Sequence, residues 1–399
     1  LPSTGIARAT GPDTLLYSNG PDWRHQRKVA AAPFGKTALF QDGRFKEFEG
    51  SFRATAAQRL AALRQHLESK EEDSMRIKLE PEIKAVMLEM LTNNFFGANI
   101  PYDELRNRYV PALERVIDHI IRDTVLNRLG IPLRSIPSFT SSIAQAKRDL
   151  ATFDALTDAV LATRQNGDGL WSHFKSDAPD EKLRANLKVF LAGALEATTS
   201  LASWAISHLA RNPEAQAKVY REVAEMDEYT PDNLEKAPYL NHVLDETLRL
   251  TPSLYFLPRR ATSDTWVEAA DGRRLFIPEG THILLDVWHA NRHEDFWGIA
   301  ATGHSATEFA PERWAEMAAK GKNPKDMMHF GFGHGPRVCP GKHLGQLETA
   351  LVVGALVKMF SFEAPHAENP EKAGVSTKPA DGTDVILRIR EPYRAPPKG

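Results

Sequence analysis

Apolar residues recur every three or four positions over most of the first two thirds of the chain. The stretches 60–67, 86–96, 110–121, 150–161, 187–209 and 240–250 keep this spacing, which gathers their apolar side chains on one face of a helix. Asn212-Pro213 and Thr230-Pro231 punctuate the series. Strict alternation is rarer and comes late. RRLFIPEGTHILLDV (273–287) alternates around a Pro-Glu-Gly turn, and VILRIR (385–390) alternates near the end, which predicts strands. The expected architecture is mainly α with small β-sheets in the C-terminal half, an α+β fold. No repeat and no Pro/Gly/Ser linker interrupts it, so residues 1–399 read as a single domain.

Composition narrows the class. Apolar residues make up 42% and charged residues 26%, as in ordinary globular proteins. A net charge of −2 gives no electrostatic footprint for a nucleic acid. The one cysteine excludes an internal disulfide and points to a reducing compartment. No run of 18 apolar residues exists, so the chain as given does not span a bilayer. It opens LPSTGIARAT rather than with methionine, and the expectation is that preceding residues are absent.

That cysteine lies in FGFGHGPRVCPG (330–341). A lone intracellular cysteine is commonly an inert buried thiol. Here four glycines allow backbone dihedrals closed to other residues and a close approach to a flat ligand. Pro336 and Pro340 stiffen the loop, and Arg337 sets a cation near the sulfur, favouring thiolate. A helical stretch follows Gly341, so Cys339 precedes a helix N-terminus, whose dipole also favours negative sulfur. A thiolate in a stiff cradle suits metal ligation or nucleophilic attack.

The ten residues Phe332 to Gly341 resemble the haem-binding signature of the cytochrome P450 family, F-G-x-G-x-R-x-C-x-G, at every fixed position. The resemblance implies the P450 fold, haem b (iron protoporphyrin IX) as cofactor, Cys339 as the proximal iron ligand, and Phe332 and Arg337 against the haem. Glu246-x-x-Arg249 and Pro311-Glu312-Arg313-Trp314 are similar to two further family segments, with Trp in place of the usual Phe. By that likeness Glu246, Arg249 and Arg313 form a buried charge network that clamps the cysteine loop. Trp23 and Arg27, one helical turn apart, match the family's Trp-x-x-x-Arg, which serves a haem propionate. Arg259 matches a second propionate arginine, with the adjacent Arg260 open as an alternative. The match runs from Trp23 onward. The family places a longer stretch before this point, so the first helix, part of the first sheet and any membrane anchor are expected to be missing.

Phe190 to Ser200 resembles the family's distal helix, where an acid followed by threonine relays protons. Two registers are open. Aligning the threonines makes Thr198 the catalytic alcohol. Counting back from Asn212-Pro213 makes Glu196 the acid and places Ala197 at the threonine position, and this register needs no insertion within a helix. The resemblance further places Leu15 and Tyr17, the helices over 105–165, Ala194, Leu195 and Ala197, the apolar segment Leu254, Tyr255, Phe256 and Leu257, and the loop from Ser376 to Pro379 around the substrate. An apolar small molecule (lipid, terpenoid or other secondary metabolite) is then expected.

The leading functional expectation is a haem-thiolate monooxygenase using O2 and electrons from NADPH–cytochrome P450 reductase or another donor, met by Arg24, Lys28 and Lys342. The alternative, motivated by Ala197, is a reductase-independent isomerase, dehydratase or peroxide-using enzyme. A haem-binding sensor without catalysis is the third. Chain size resembles the larger microsomal-type branch, which implies the cytosolic face of the endoplasmic reticulum membrane, with a cytoplasmic location as alternative. His289 and His293 in HANRH are spaced as a metal pair, but no third ligand is apparent.

Overall fold

The computed structural model describes residues 5–11, 14–30, 34, 44–69, 74–127, 130–131, 133–166, 180–226, 237–269, 271–322 and 329–391. Its described α-helices of six residues or more are α1 (Gly5–Thr10), α2 (Gly20–Ala30), α3 (Arg44–Glu68), α4 (Glu80–Glu89), α5 (Val110–Leu126), α6 (Ser141–Ala162), α7 (Asp180–Arg211), α8 (Pro213–Ala224), α9 (Pro238–Leu250), α10 (Glu312–Ala319) and α11 (Lys342–Met359). Each of the six apolar-periodic stretches is helical. The 86–96 stretch passes from α4 into a π-helical turn, Met90–Phe95. Thr230-Pro231 lies outside the described residues.

Local chemistry sets these boundaries. Pro213 opens α8 directly after Asn212, where its missing N–H costs nothing. Thr140 caps α6 by accepting from the Ile143 N–H at 3.2 Å. On α5 the residues Val110, Leu113, Val116, Ile117 and Ile120 are buried and form one face. On α11 the residues Leu347 to Gly354 are all buried, so this helix is covered on every side and belongs to the core. Each such leucine or valine contributes about 1.5–3 kcal/mol on burial.

The described residues form two compact units, Leu1–Leu244 with Pro340–Gly399, and Asp245–Cys339. In the first, α7 packs on α4, α6 and α11. Its sheet joins β1 (Ser74–Lys78), β9 (Asp384–Ile389) and β6 (Phe360–Glu363) in the order β1-β9-β6, all antiparallel. Met75 stands opposite Leu387 and Ile77 opposite Val385. β7 (Glu371–Lys372) and β8 (Lys378–Pro379) make a short hairpin beside it. β1 falls in the half that reads as helical, because its alternation covers only five residues and its partner is some 300 positions away.

In the second unit β2 (Phe256–Arg260) pairs with β5 (His282–Asp286), and β3 (Thr265–Glu268) with β4 (Arg274–Ile277). The two strands expected around the Pro-Glu-Gly turn therefore do not pair with each other. The turn returns the chain from the β3–β4 hairpin to β5, which pairs back with β2, the strand before that hairpin.

Candidate functional site

The cysteine loop is closed by its own backbone. The Cys339 N–H donates to Phe332 O at 2.8 Å, Gly333 N–H to Phe330 O at 2.9 Å, and Val338 N–H to Gly335 O at 3.0 Å. Gly333 and Gly335 have φ of 74° and 69°, in the left-handed region that favours glycine. A side chain on Gly331 would meet Leu248 Cβ at 3.0 Å. The loop ends in a one-turn 3₁₀ helix, Gly335–Arg337, and it presents Cys339 exposed, with Phe332 and Arg337 half-buried.

Beneath the stem of the loop lies a buried charge cluster. Glu246, Arg249 and Arg313 are each 0% exposed. The Glu246 carboxylate accepts from Arg249 Nε (2.9 Å) and Nη2 (2.8 Å), Arg313 Nε (2.9 Å), Ala310 N (3.0 Å) and Trp314 Nε1 (3.1 Å). The remaining arginine donors reach carbonyls: Arg249 those of Asn291, Ala306 and Glu308, and Arg313 those of Trp297, Ser305 and Glu308. Such a cluster survives burial only because its donors and acceptors are paired. Burial pushes the Glu246 carboxyl up, but the Arg249 hydrogen bond and the two guanidinium charges outweigh it and hold the group below its ordinary value.

The connection from cluster to loop runs through Asn291. Its carbonyl accepts from Arg249 Nη1, and its side chain accepts the Phe330 N–H at 3.0 Å. Sequence reasoning passed over this residue, because a lone asparagine between two histidines carries no spacing signal. The indole N–H of Trp314 is a second addition. It gives the Glu246 carboxylate a neutral donor that phenylalanine would lack.

In the first unit, α7 carries Glu196, 3% exposed. Its carboxylate meets Lys378 Nζ at 2.7 Å and Lys84 Nζ at 3.8 Å, and accepts from Ser376 Oγ at 3.1 Å. Both lysines also contact Glu80 at 3.4 Å, and Lys84 contacts Glu114 at 2.6 Å. Burial pulls the Lys84 ammonium down, but Glu196, Glu114 and Glu80 outweigh it and hold its pKa above the ordinary value. Ser200 Oγ donates to Thr377 O at 2.6 Å, so the 376–378 loop is tied to α7 at successive residues.

The same helix resolves which side chain faces outward at its middle. Gly193 and Ala197 are exposed and Ala194 is half-buried, while Leu195, Thr198, Thr199 and Ser200 are buried. Thr198 Oγ1 donates to Ala194 O at 2.9 Å, and its methyl lies toward Gly345 on α11. The open face of α7 is therefore small and apolar, with Ala197 on it and Thr198 turned away.

A sequence profile described as cytochrome P450 matches residues 4–381. The chain belongs to the cytochrome P450 family. It is 32% identical over 219 residues to cytochrome P450 76A1 of Solanum melongena, covering 53% of this chain and 43% of that protein. It is 33% identical over 204 residues to 11-oxo-beta-amyrin 30-oxidase of Medicago truncatula, covering 50% and 37%. The chain thus spans less than half the length of these curated relatives. A crystal structure of a cytochrome P450 (CYP102L1) superposes with a TM-score of 0.76 at 20% identity, covering 98% of this chain and 87% of that one, which shows the P450 fold. Family and fold bring haem b as the cofactor. The residues present fit it: an exposed thiol on a glycine-bearing loop, and a small apolar face on the long helix.

The other residues expected at the site lie on several elements. Trp23 and Arg27 are half-buried on α2, which is fixed to α7 by Asp22–Lys182 (2.8 Å) and Gln26–Asn186 (3.0 Å). On β2, alternation puts Arg259 on the face of Leu257 and Arg260 on the opposite one, where its guanidinium lies by Gly280. Leu254 and Phe256 are exposed large apolar residues, and Tyr255 stacks edge-on against Phe256 at 4.7 Å. The Leu15 N–H donates to the buried Asn186 side chain at 2.8 Å, and Tyr17 is half-buried beside it in sequence. Leu195 is in the core and does not share the Ala194–Ala197 face. His289 pairs with Asp286 at 2.6 Å, while His293 caps a separate short helix by accepting from the Asp295 N–H at 3.3 Å. Among the described residues no cluster of three metal-ligating side chains occurs. One described helix, Glu181–Arg211, is long and apolar enough to cross a membrane, but two thirds of it is buried.

Proposed function

We propose that this chain is the catalytic part of a haem-thiolate monooxygenase that oxidises an apolar small organic molecule, most simply a terpenoid or lipid. The observation that carries the proposal is Cys339, exposed at the end of a loop whose stem is bonded through Asn291 to the buried Glu246–Arg249–Arg313 cluster. When bound, the haem supplies the oxidising chemistry, with its potential and O–O reactivity set by the thiolate. In this reading Cys339 is the ligand and Phe332 packs beside it. Trp23, Arg27, Arg259 and Arg337 bind the propionates, since charge-assisted donors suit buried carboxylates. Glu196 would be the group that holds and moves protons. By the family resemblance, Leu15, Tyr17, Ala194 and Ala197, and separately Leu254, Tyr255, Phe256 and Leu257, are the residues proposed to meet an apolar substrate.

The substrate class draws support from relatives named for terpenoid substrates, the 11-oxo-beta-amyrin 30-oxidase and a geraniol 8-hydroxylase of Catharanthus roseus that is 26% identical over 301 residues. Dioxygen and a reductase are the co-reactants proposed, with the exposed Arg24 and Lys28 of α2 as a cationic face for the donor and the endoplasmic reticulum as the place of action. A reductase-independent isomerase, dehydratase or peroxide-using activity is the second reading, favoured by Ala197 on the open face of α7.

Carbon monoxide difference spectra of the reduced haem-loaded protein test the assignment. The red-shifted Soret band of thiolate ligation is expected, and it should disappear in Cys339→Ser. A protein that takes up haem without that band overturns the proposal. Product formation with a hydroperoxide and no NADPH, together with none in the reductase system, selects the second reading.

A further inference from the structure

We infer that Ser376 supplies to Glu196 the hydroxyl that α7 lacks at position 197. The inference rests on the reading of Glu196 as the proton-handling acid. An acid and an alcohol in contact form a two-group relay. In this chain the residue after the acid is alanine, and nothing on α7 replaces it. The Thr198 hydroxyl donates to Ala194 O within its own helix. Thr199 is 0% exposed on the packed side, and the Ser200 hydroxyl is committed to Thr377 O.

The hydroxyl that does meet the carboxylate comes from the C-terminal loop, 180 residues away in sequence. Ser376 Oγ lies 3.1 Å from Glu196 Oε2, with the two residues 4% and 3% exposed. A serine hydroxyl has one donor and two acceptor positions. While its hydrogen points to Oε2, its lone pairs remain able to receive a proton from a water. Transfer is then balanced: Oγ takes one proton as it passes its own to Oε2, and serine is unchanged.

The loop is built to hold this geometry. Ser200 pins Thr377, the next residue, at 2.6 Å, and Lys378 Nζ reaches the same carboxylate at 2.7 Å. Lys84 approaches the other oxygen at 3.8 Å and is itself held by Glu80 and Glu114. These ion pairs hold the Glu196 carboxyl in one orientation, and the Ser376 hydroxyl is the neutral member of the group. Ser376 is thus a positioning residue acting through Glu196. The same loop is expected to line the substrate pocket, so substrate fit and proton handling are set by one segment.

The test uses the haem-loaded full chain with carbon monoxide as probe, and compares Ser376→Ala, Ser376→Thr, Glu196→Gln and Thr198→Val. The C–O stretching band of the ferrous complex reports distal polar groups without turnover. Ser376→Ala and Glu196→Gln should each shift it, Ser376→Thr should restore the parent band, and Thr198→Val should leave it in place. With reductase and NADPH, Ser376→Ala should raise the share of electrons lost as hydrogen peroxide, and turnover should fall about tenfold or more, given the roughly 10²–10⁴-fold worth of positioned proton transfer. If Ser376→Ala does not fold, Ser376→Cys carries the same comparison with a weaker donor. A shift in Glu196→Gln but none in Ser376→Ala overturns this inference alone. An effect that Ser376→Thr fails to rescue, or one reproduced by Thr198→Val, also overturns it. No change in either Glu196→Gln or Ser376→Ala removes the role of Glu196 as well.

Discussion

Replacing Glu246 by glutamine tests the clamp on the cysteine loop with little change in volume. In the parent the carboxylate receives five donors, two from Arg249 and one each from Arg313, Ala310 and Trp314, at 2.8–3.1 Å. Glutamine keeps one acceptor oxygen. Its amide turns two hydrogens toward donors that already point inward, and two fully buried guanidinium groups lose their counter-charge. Breaking a buried pair by removing one partner costs about 3–5 kcal/mol. The carbonyl bonds of Arg249 and Arg313 persist, so the lower half of that range is expected. With a urea slope of about 3 kcal/mol/M, the unfolding midpoint falls by about 1–1.3 M. Intrinsic fluorescence follows the transition directly, because Trp314 donates to Glu246 and Trp297 packs against it at 5.6 Å. The pH dependence gives a second signature. The folded carboxyl sits below the ordinary 4.5, so its contribution is present above that value and is lost as pH falls through the folded pKa. The variant should lack this acid-linked loss. A midpoint within about 0.2 M of the parent at neutral pH, less than about 1 kcal/mol, would refute the claim that this cluster holds the loop.

Three further outcomes follow from the same packing. Trp314→Phe removes one donor to a buried carboxylate and should cost about 1.5–3 kcal/mol in the same urea assay; a neutral result would show that the indole N–H is dispensable. Asn291→Ala should leave the helices intact by circular dichroism yet raise the fraction of haem protein lacking the thiolate Soret band, because the Phe330 N–H loses its acceptor; an unchanged spectrum counts against the link. Glu348 on α11 is buried with Oε1 unpartnered among the described residues, and burial pushes its carboxyl up to about 8. The folded form therefore prefers the proton, and stability falls as pH rises from about 4.5 to about 8, by about 4–5 kcal/mol in all. Glu348→Gln should remove that slope, so that its advantage over the parent grows across this window and then levels; a pH-independent difference would refute it.

Much of this protein is legible along the chain because helices and short loops are local. Apolar spacing marks 60–67, 110–121, 150–161, 187–209 and 240–250 as helices without reference to any partner, since a single helix face is written every three or four residues. The cysteine loop is nearly as local: the backbone hydrogen bonds that close it span at most seven residues, from Phe332 to Cys339, so its glycines and its sulfur are read together. What tertiary structure alone decided are relations between distant segments. β1 finds β9 across some 300 positions, and sequence alternation cannot name a partner. The register of α7 offers two candidates in sequence, and only packing against α11 shows that Thr198 turns inward while Ala197 faces out. Lys84, Ser376 and Lys378 carry no mark that ties them to Glu196, nor does Asn291 to Phe330. A buried charge must find its counter-charge or a donor wherever the fold brings one, and that choice is made by three-dimensional proximity after the helices have formed.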